Sequence, residues 1–120
     1  GMKRAPRDAG LLSCRGSALA RAGETLDALE RDAEAEKTFE QAMSAFDAAL
    51  AAGPETDALR DRRGFALVGL AHVQAELGRH DRAADTLARA VAEFTRSLEL
   101  DPRKDQIREL RDQLTATLGE

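Results

Sequence analysis

The sequence predicts an all-α fold, a stack of antiparallel helical hairpins in two long repeats of 48 residues with a C-terminal capping helix. Composition is the first reason. Of the 120 residues, 42% are hydrophobic and 33% charged. Ala, Leu, Arg and Glu abound, Val and Ile are scarce, and Tyr and Trp are absent. Little of this chain favours strand. The prolines are the second reason. Pro6, Pro54 and Pro102 are the only ones, and each follows the last by 48 positions. Laying residues 6–53 over 54–101 without gaps gives 13 identities, where this composition would give roughly five by chance. They include Leu11/Leu59, Arg15/Arg63, Gly16/Gly64, Leu19/Leu67, Leu29/Leu77 and Phe46/Phe94. Apolar spacing is the third reason, because steps of three and four place side chains on one face of a helix.

Taken in order, Leu11, Ala18, Leu19, Ala22, Leu26 and Leu29 predict a helix over 8–29. Ala35, Phe39, Ala42, Phe46, Ala49 and Leu50 predict a second over 32–52. The same two patterns return over 55–77 and 80–100, with Leu59, Leu67, Leu70 and then Ala83, Ala90, Phe94, Leu98. The connections are short, at Glu30–Asp32, Gly53–Pro54, Gly78–His80 and Asp101–Pro102, so neighbouring helices must run antiparallel. Proline lacks the amide that a first helical turn leaves unpaired, so each proline is expected to open a helix. Asp101 is expected to cap the helix after it, and Gly53 to end the one before it in a left-handed conformation. A fifth helix over 103–118 carries Ile107, Leu110, Leu114 and Leu118 on one stripe and polar residues elsewhere. It reads as a cap over Val91, Phe94 and Leu98 that ends the array. The expected organisation is a tail over 1–7, whose Gly1 reads as a cloning remnant, and one domain over 8–120. Its first repeat is 8–53, its second 56–101.

Leu19, Ala22, Gly23, Leu26 and then Ala35, Phe39, Ala42 form a pattern that the second unit repeats with Leu67, Leu70, Ala71, Gln74 and then Ala83, Leu87, Ala90. On these residues the chain resembles a tetratricopeptide repeat, with a helix carrying L-x2-L-G-x2-Y and a second carrying A-x3-F-x2-A. The departures are the missing aromatic, replaced by Leu26 or Gln74, a later proline, and a unit longer than the family's ~34 residues. Adding seven residues to each helix is close to two turns, so the packing face stays nearly in register. The resemblance implies a non-catalytic module that binds a protein or peptide along the concave face of its first-type helices.

The net charge of −4 and the absence of a basic cluster interleaved with aromatics exclude sequence-independent nucleic-acid binding as the expected role. No run of apolar residues is long enough for a membrane helix. Leu11-Leu12-Ser13-Cys14 looks like a lipoprotein box, but Arg7 and Asp8 stand where its apolar segment would be. One cysteine cannot form an internal disulfide, which suits a reduced cytoplasm.

For chemistry, a metal-dependent hydrolase using His72, His80 and Asp81 competes with a simpler reading. In that reading His80 and Asp81 sit in a tight turn, with Asp81 satisfying the amides of the next helix. No catalytic residue, metal or cofactor is therefore expected, and Cys14 has no base beside it. Asp61 and Glu109 read as solvated charges. Arg15, Arg63 and Arg111 share one repeat position, and pairing with acids such as Asp61 or Asp112 is expected over an anion site. A chaperone-tail clamp is not expected, because the chain has no Asn and its only lysines are Lys3, Lys37 and Lys104.

Counting along the first-type helices gives three rows: Ser17, Phe65, Gln113; Ala20, Val68, Ala116; Glu24, His72, Glu120. Phe65 and Val68 beside small Ala20 and Ala116 suggest a shallow apolar pocket. The expected site is thus Phe65, Val68, Ala20 and Gln113, with Glu24, His72 and Asp61 setting a preference for an apolar segment with a basic neighbour. Pairing with a second copy of the chain, as a homodimer, is the alternative.

Overall fold

A computed structural model describes residues 6–119, with side chains from Asp8 onward. The expected tail lies outside the described residues apart from Pro6 and Arg7, as does Glu120. Among the described residues five helices follow one another: α1 (Pro6–Ala28), α2 (Asp32–Ala52), α3 (Asp57–Glu76), α4 (His80–Leu100) and α5 (Asp105–Gly119). The first four pack as two hairpins, α1 on α2 and α3 on α4, with α3 also against α2 and α1. α5 lies on α4 as α3 lies on α2.

The repeat extends to individual backbone hydrogen bonds. In the α1–α2 turn the amides of Leu29, Glu30 and Arg31 donate to the carbonyls of Thr25, Asp27 and Leu26. In the α3–α4 turn Leu77, Gly78 and Arg79 donate to Val73, Ala75 and Gln74. Each residue of the second set lies 48 positions after its counterpart. Both turns satisfy the last free carbonyls of their helix by placing one residue in the left-handed region, Glu30 at φ 60° and Gly78 at φ 80°. Only glycine adopts that conformation without a steric cost.

The prolines mark the joints without opening every helix. Pro54 precedes α3 by three positions, and Thr56 caps that helix, its hydroxyl accepting from the Leu59 amide at 3.1 Å. A hydroxyl that can accept from a free amide stabilises the start more than a proline that merely lacks one. Pro102 lies in the turn ahead of α5, and the Asp101 carboxylate accepts from the Arg103 amide at 3.2 Å within that turn. Gly53 is extended, with φ −152°, not left-handed. Asp81 provides no side-chain cap to α4, whose cap residue is Arg79.

The core is built on phenylalanine rings pressed against glycine. Phe46 and Phe94 are fully buried. A Cβ placed on Gly16 would stand 2.7 Å from the Phe46 ring, and one on Gly64 would stand 2.7 Å from the Phe94 ring. These glycines sit within continuous helix, so they admit a ring without interrupting it. Phe46 and Phe94 share one cluster with Leu59, Leu67 and Ile107, against which Leu110 and Leu114 of α5 are half-buried. Ile107 is the buried anchor of α5, whereas Leu118 at its end is exposed. A second cluster joins Ala35 and Phe39 of α2 to Leu70 and Val73 of α3 and bonds the two hairpins together.

Candidate functional site

The open face of α1 and α3 holds a shallow pocket of about 180 Å³, lined by Ser17, Ala20, Glu24, Arg62 and Phe65 among others. Phe65 is 50% exposed although its ring meets Phe94 edge to face, centroids 5.2 Å apart. One edge of the ring is thus fixed by the core and the other faces the pocket. Ala20 leaves the room beside it. Glu24 is exposed, and Arg62 bends away to donate to the Ser13 hydroxyl at 2.7 Å. Three of the seven expected site residues, Ala20, Glu24 and Phe65, therefore share one concavity.

The other four are distributed differently. Val68 is half-buried and packs on the core cluster. Gln113 lies with Ala116 on the outer side of α5, where both line a separate open depression. Asp61 is not a solvated charge. It is held with Asp57 against Lys104, whose amine also donates to the Ser97 hydroxyl at 3.0 Å. Burial works against the charge of Lys104, but hydrogen bonds to Asp61 and Asp57 carry its pKa above the ordinary value. α5 is thereby latched to the start of α3. His72 is exposed on α3, its Nε2 lying 2.7 Å from Glu76 and 3.3 Å from Asp27 of α1. His80 and Asp81 stand in the first turn of α4 and not in the turn before it, and line a depression with Arg79 and Arg82. The structure thus separates the histidines into two surroundings.

Two of the three repeated arginines, Arg63 and Arg111, pair with acids, though not all with those expected. Arg63 meets Glu93 at 2.6 Å and Asp47 at 3.0 Å, and Arg111 meets Asp112 at 3.2 Å. Arg60 also reaches Glu93, at 3.1 Å, and Glu55 at 2.7 Å. Arg96, with Arg60, holds the Glu55 carboxyl down to about 2. Glu93 is buried, so this network fastens α3, α4 and the joint before α3. Sequence reasoning missed it. A glutamate inside an apolar stripe, 33 and 30 residues from its two arginines, leaves no local signal.

Paired-helix repeats with a partly open face between their first-type helices generally serve as interaction modules. A family model of the tetratricopeptide repeat matches residues 16–48, beginning within α1 and ending within α2. With the duplicated hairpin, this match supports a likeness to the tetratricopeptide repeat family, whose repeats typically mediate protein–protein interaction. No curated protein and no solved structure matches the chain. Among the described residues, no helix is long and apolar enough to cross a membrane.

Proposed function

We propose that the protein binds a segment of another protein on the α1–α3 face, with the exposed edge of Phe65 as anchor. The observation that carries this reading is a half-exposed phenylalanine fixed from behind by Phe94 and facing a concavity beside Ala20. A rigid aromatic gains apolar contact at little ordering cost, so Phe65 dominates the affinity. Val68 packs on the core cluster outside this concavity, and Glu24 is the acid that a basic neighbour of the bound apolar side chain would meet. Rim charge of this kind sets rate and salt sensitivity more than affinity. Asp61, committed to Lys104, and Gln113, on the outer side of α5, contribute less. His72 lies at the far end of the face.

The test is selection of displayed peptides on the purified protein, followed by NMR mapping of the strongest binder. Peptides carrying an apolar side chain next to Lys or Arg are expected, with shifts centred on Ala20, Glu24 and Phe65. Phe65→Ser is expected to weaken them by about 2 kcal/mol, or roughly thirtyfold. Shifts confined to α2, α4 or α5 would move the site elsewhere. Sedimentation of the protein alone checks the alternative, since a homodimer with this face buried would compete with peptide.

A further inference from the structure

Four ionisable side chains from three helices meet where the α1–α2 turn rests on the last turns of α3. Asp27 comes from the end of α1, Asp32 from the start of α2, and His72 and Glu76 from α3, one helical turn apart. One donor atom each from Asp27, His72 and Glu76 lies within 4.8 Å of the others. The His72 Nε2 stands 2.7 Å from Glu76 and 3.3 Å from Asp27. Donors bound to one first-row divalent ion at ~2.0–2.2 Å lie at about these separations from each other.

Charge balance points the same way. Among the described residues, neither lysine nor arginine pairs with Asp27, Asp32 or Glu76, although nearby acids such as Glu34 and Glu36 each have an arginine. Asp27 Oδ1 and Asp32 Oδ1 are buried without a hydrogen-bond partner. Buried carboxylate oxygens left unpaired cost free energy that a bound cation removes. His72 is 60% exposed, leaving a side of the cluster open for water to complete a shell.

We infer that Asp27, His72 and Glu76 bind one divalent transition-metal ion of the zinc class, with Asp32 at its edge, clipping the first repeat to the second. Imidazole with carboxylates favours zinc, cobalt or nickel over magnesium or calcium, which take oxygen ligands. The role is structural. The ion fixes α1 against α3, the two helices that flank the proposed peptide face, yet its binding does not depend on any peptide.

Metal-stripped protein titrated with ZnCl2 in a calorimeter is expected to take up one equivalent per chain and to melt at a higher temperature when loaded. His72→Gln and Asp27→Asn are each expected to weaken uptake at least about tenfold and to abolish the melting shift. His80→Gln is expected to change neither. Circular dichroism of the metal-free variants confirms that they are folded, and the exposed His72 makes its variant the safer of the two. Co2+ in place of Zn2+ should give visible absorption bands that His72→Gln removes. Absence of saturable uptake, or uptake unchanged by His72→Gln, overturns the assignment. Failure here leaves the peptide reading standing, because displayed peptides are selected on metal-stripped protein as well.

Discussion

At one repeat position the first hairpin has Ala45 facing Leu12 and Arg15, and the second has Glu93 facing Arg60 and Arg63. The residues are 48 apart in each case. In the first repeat Leu12, Arg15 and Ala45 line an open depression of about 350 Å³. In the second, Glu93 and its two arginines form a buried ionic contact. A second exchange follows suit. Leu26 packs on the inter-repeat cluster, while its counterpart Gln74 is buried and accepts from the Thr86 hydroxyl at 2.7 Å. Yet both hairpins keep the same turn hydrogen bonds and the same glycine-to-phenylalanine contact. Backbone geometry is thus set by small-to-large packing and turn chemistry, and polar side chains can replace apolar ones wherever every buried donor and acceptor is matched.

The strongest way to break this comparison is to remove the rings. Phe46→Ala and Phe94→Ala are each expected to cost about 3–5 kcal/mol in urea unfolding. A cost much smaller for one than for the other would show that the hairpins do not pack alike. The ionic contact is tested next. Glu93→Ala leaves Arg60 with Glu55 and Arg63 with Asp47 but removes the acid they share, and is expected to cost about 2 kcal/mol. Arg60→Leu combined with Glu93→Ala copies Leu12 and Ala45 of the first repeat and is expected to recover at least half of that loss. A double variant no more stable than Glu93→Ala alone would mean that the polar pair is not interchangeable with the apolar one.

Smaller effects sharpen the turns. Glu30→Gly relieves a left-handed side chain and is expected to raise stability by about 0.5–1 kcal/mol. Gly78→Glu makes the second turn resemble the first and is expected to lower stability by about 1 kcal/mol, both read as shifts in melting temperature. The smallest effect is the pH dependence of the joint before α3. Arg96 and Arg60 hold the Glu55 pKa near 2, below the ordinary 4.5. Its contribution is therefore complete above pH 4.5 and lost as pH falls from there to about 2. Melting curves of the protein and of Glu55→Gln should differ at neutral pH and converge across that window.

The sequence by itself determined the periodic part of this protein. Identities 48 residues apart, steps of three and four, and short breaks specify five helices and their pairing, because these depend on local propensity and on one face per helix. The positions of the joints were legible from the prolines and the starts of α2 and α4 from the apolar pattern, but the starts of α3 and α5 were not, since each begins three residues past its proline, after the Thr56 cap or the Asp101 turn. Of the pocket, counting along α1 and α3 brings Ala20, Glu24 and Phe65 together, as three equivalent steps of one period. The tertiary structure alone decided which charges meet. Asp61 finds Lys104, Glu93 finds Arg60 and Arg63, and His72 finds Asp27, all across 30 or more residues of sequence. Such pairs follow from how far each helix slides and turns against its neighbour, which side-chain volumes set and no period in the sequence records.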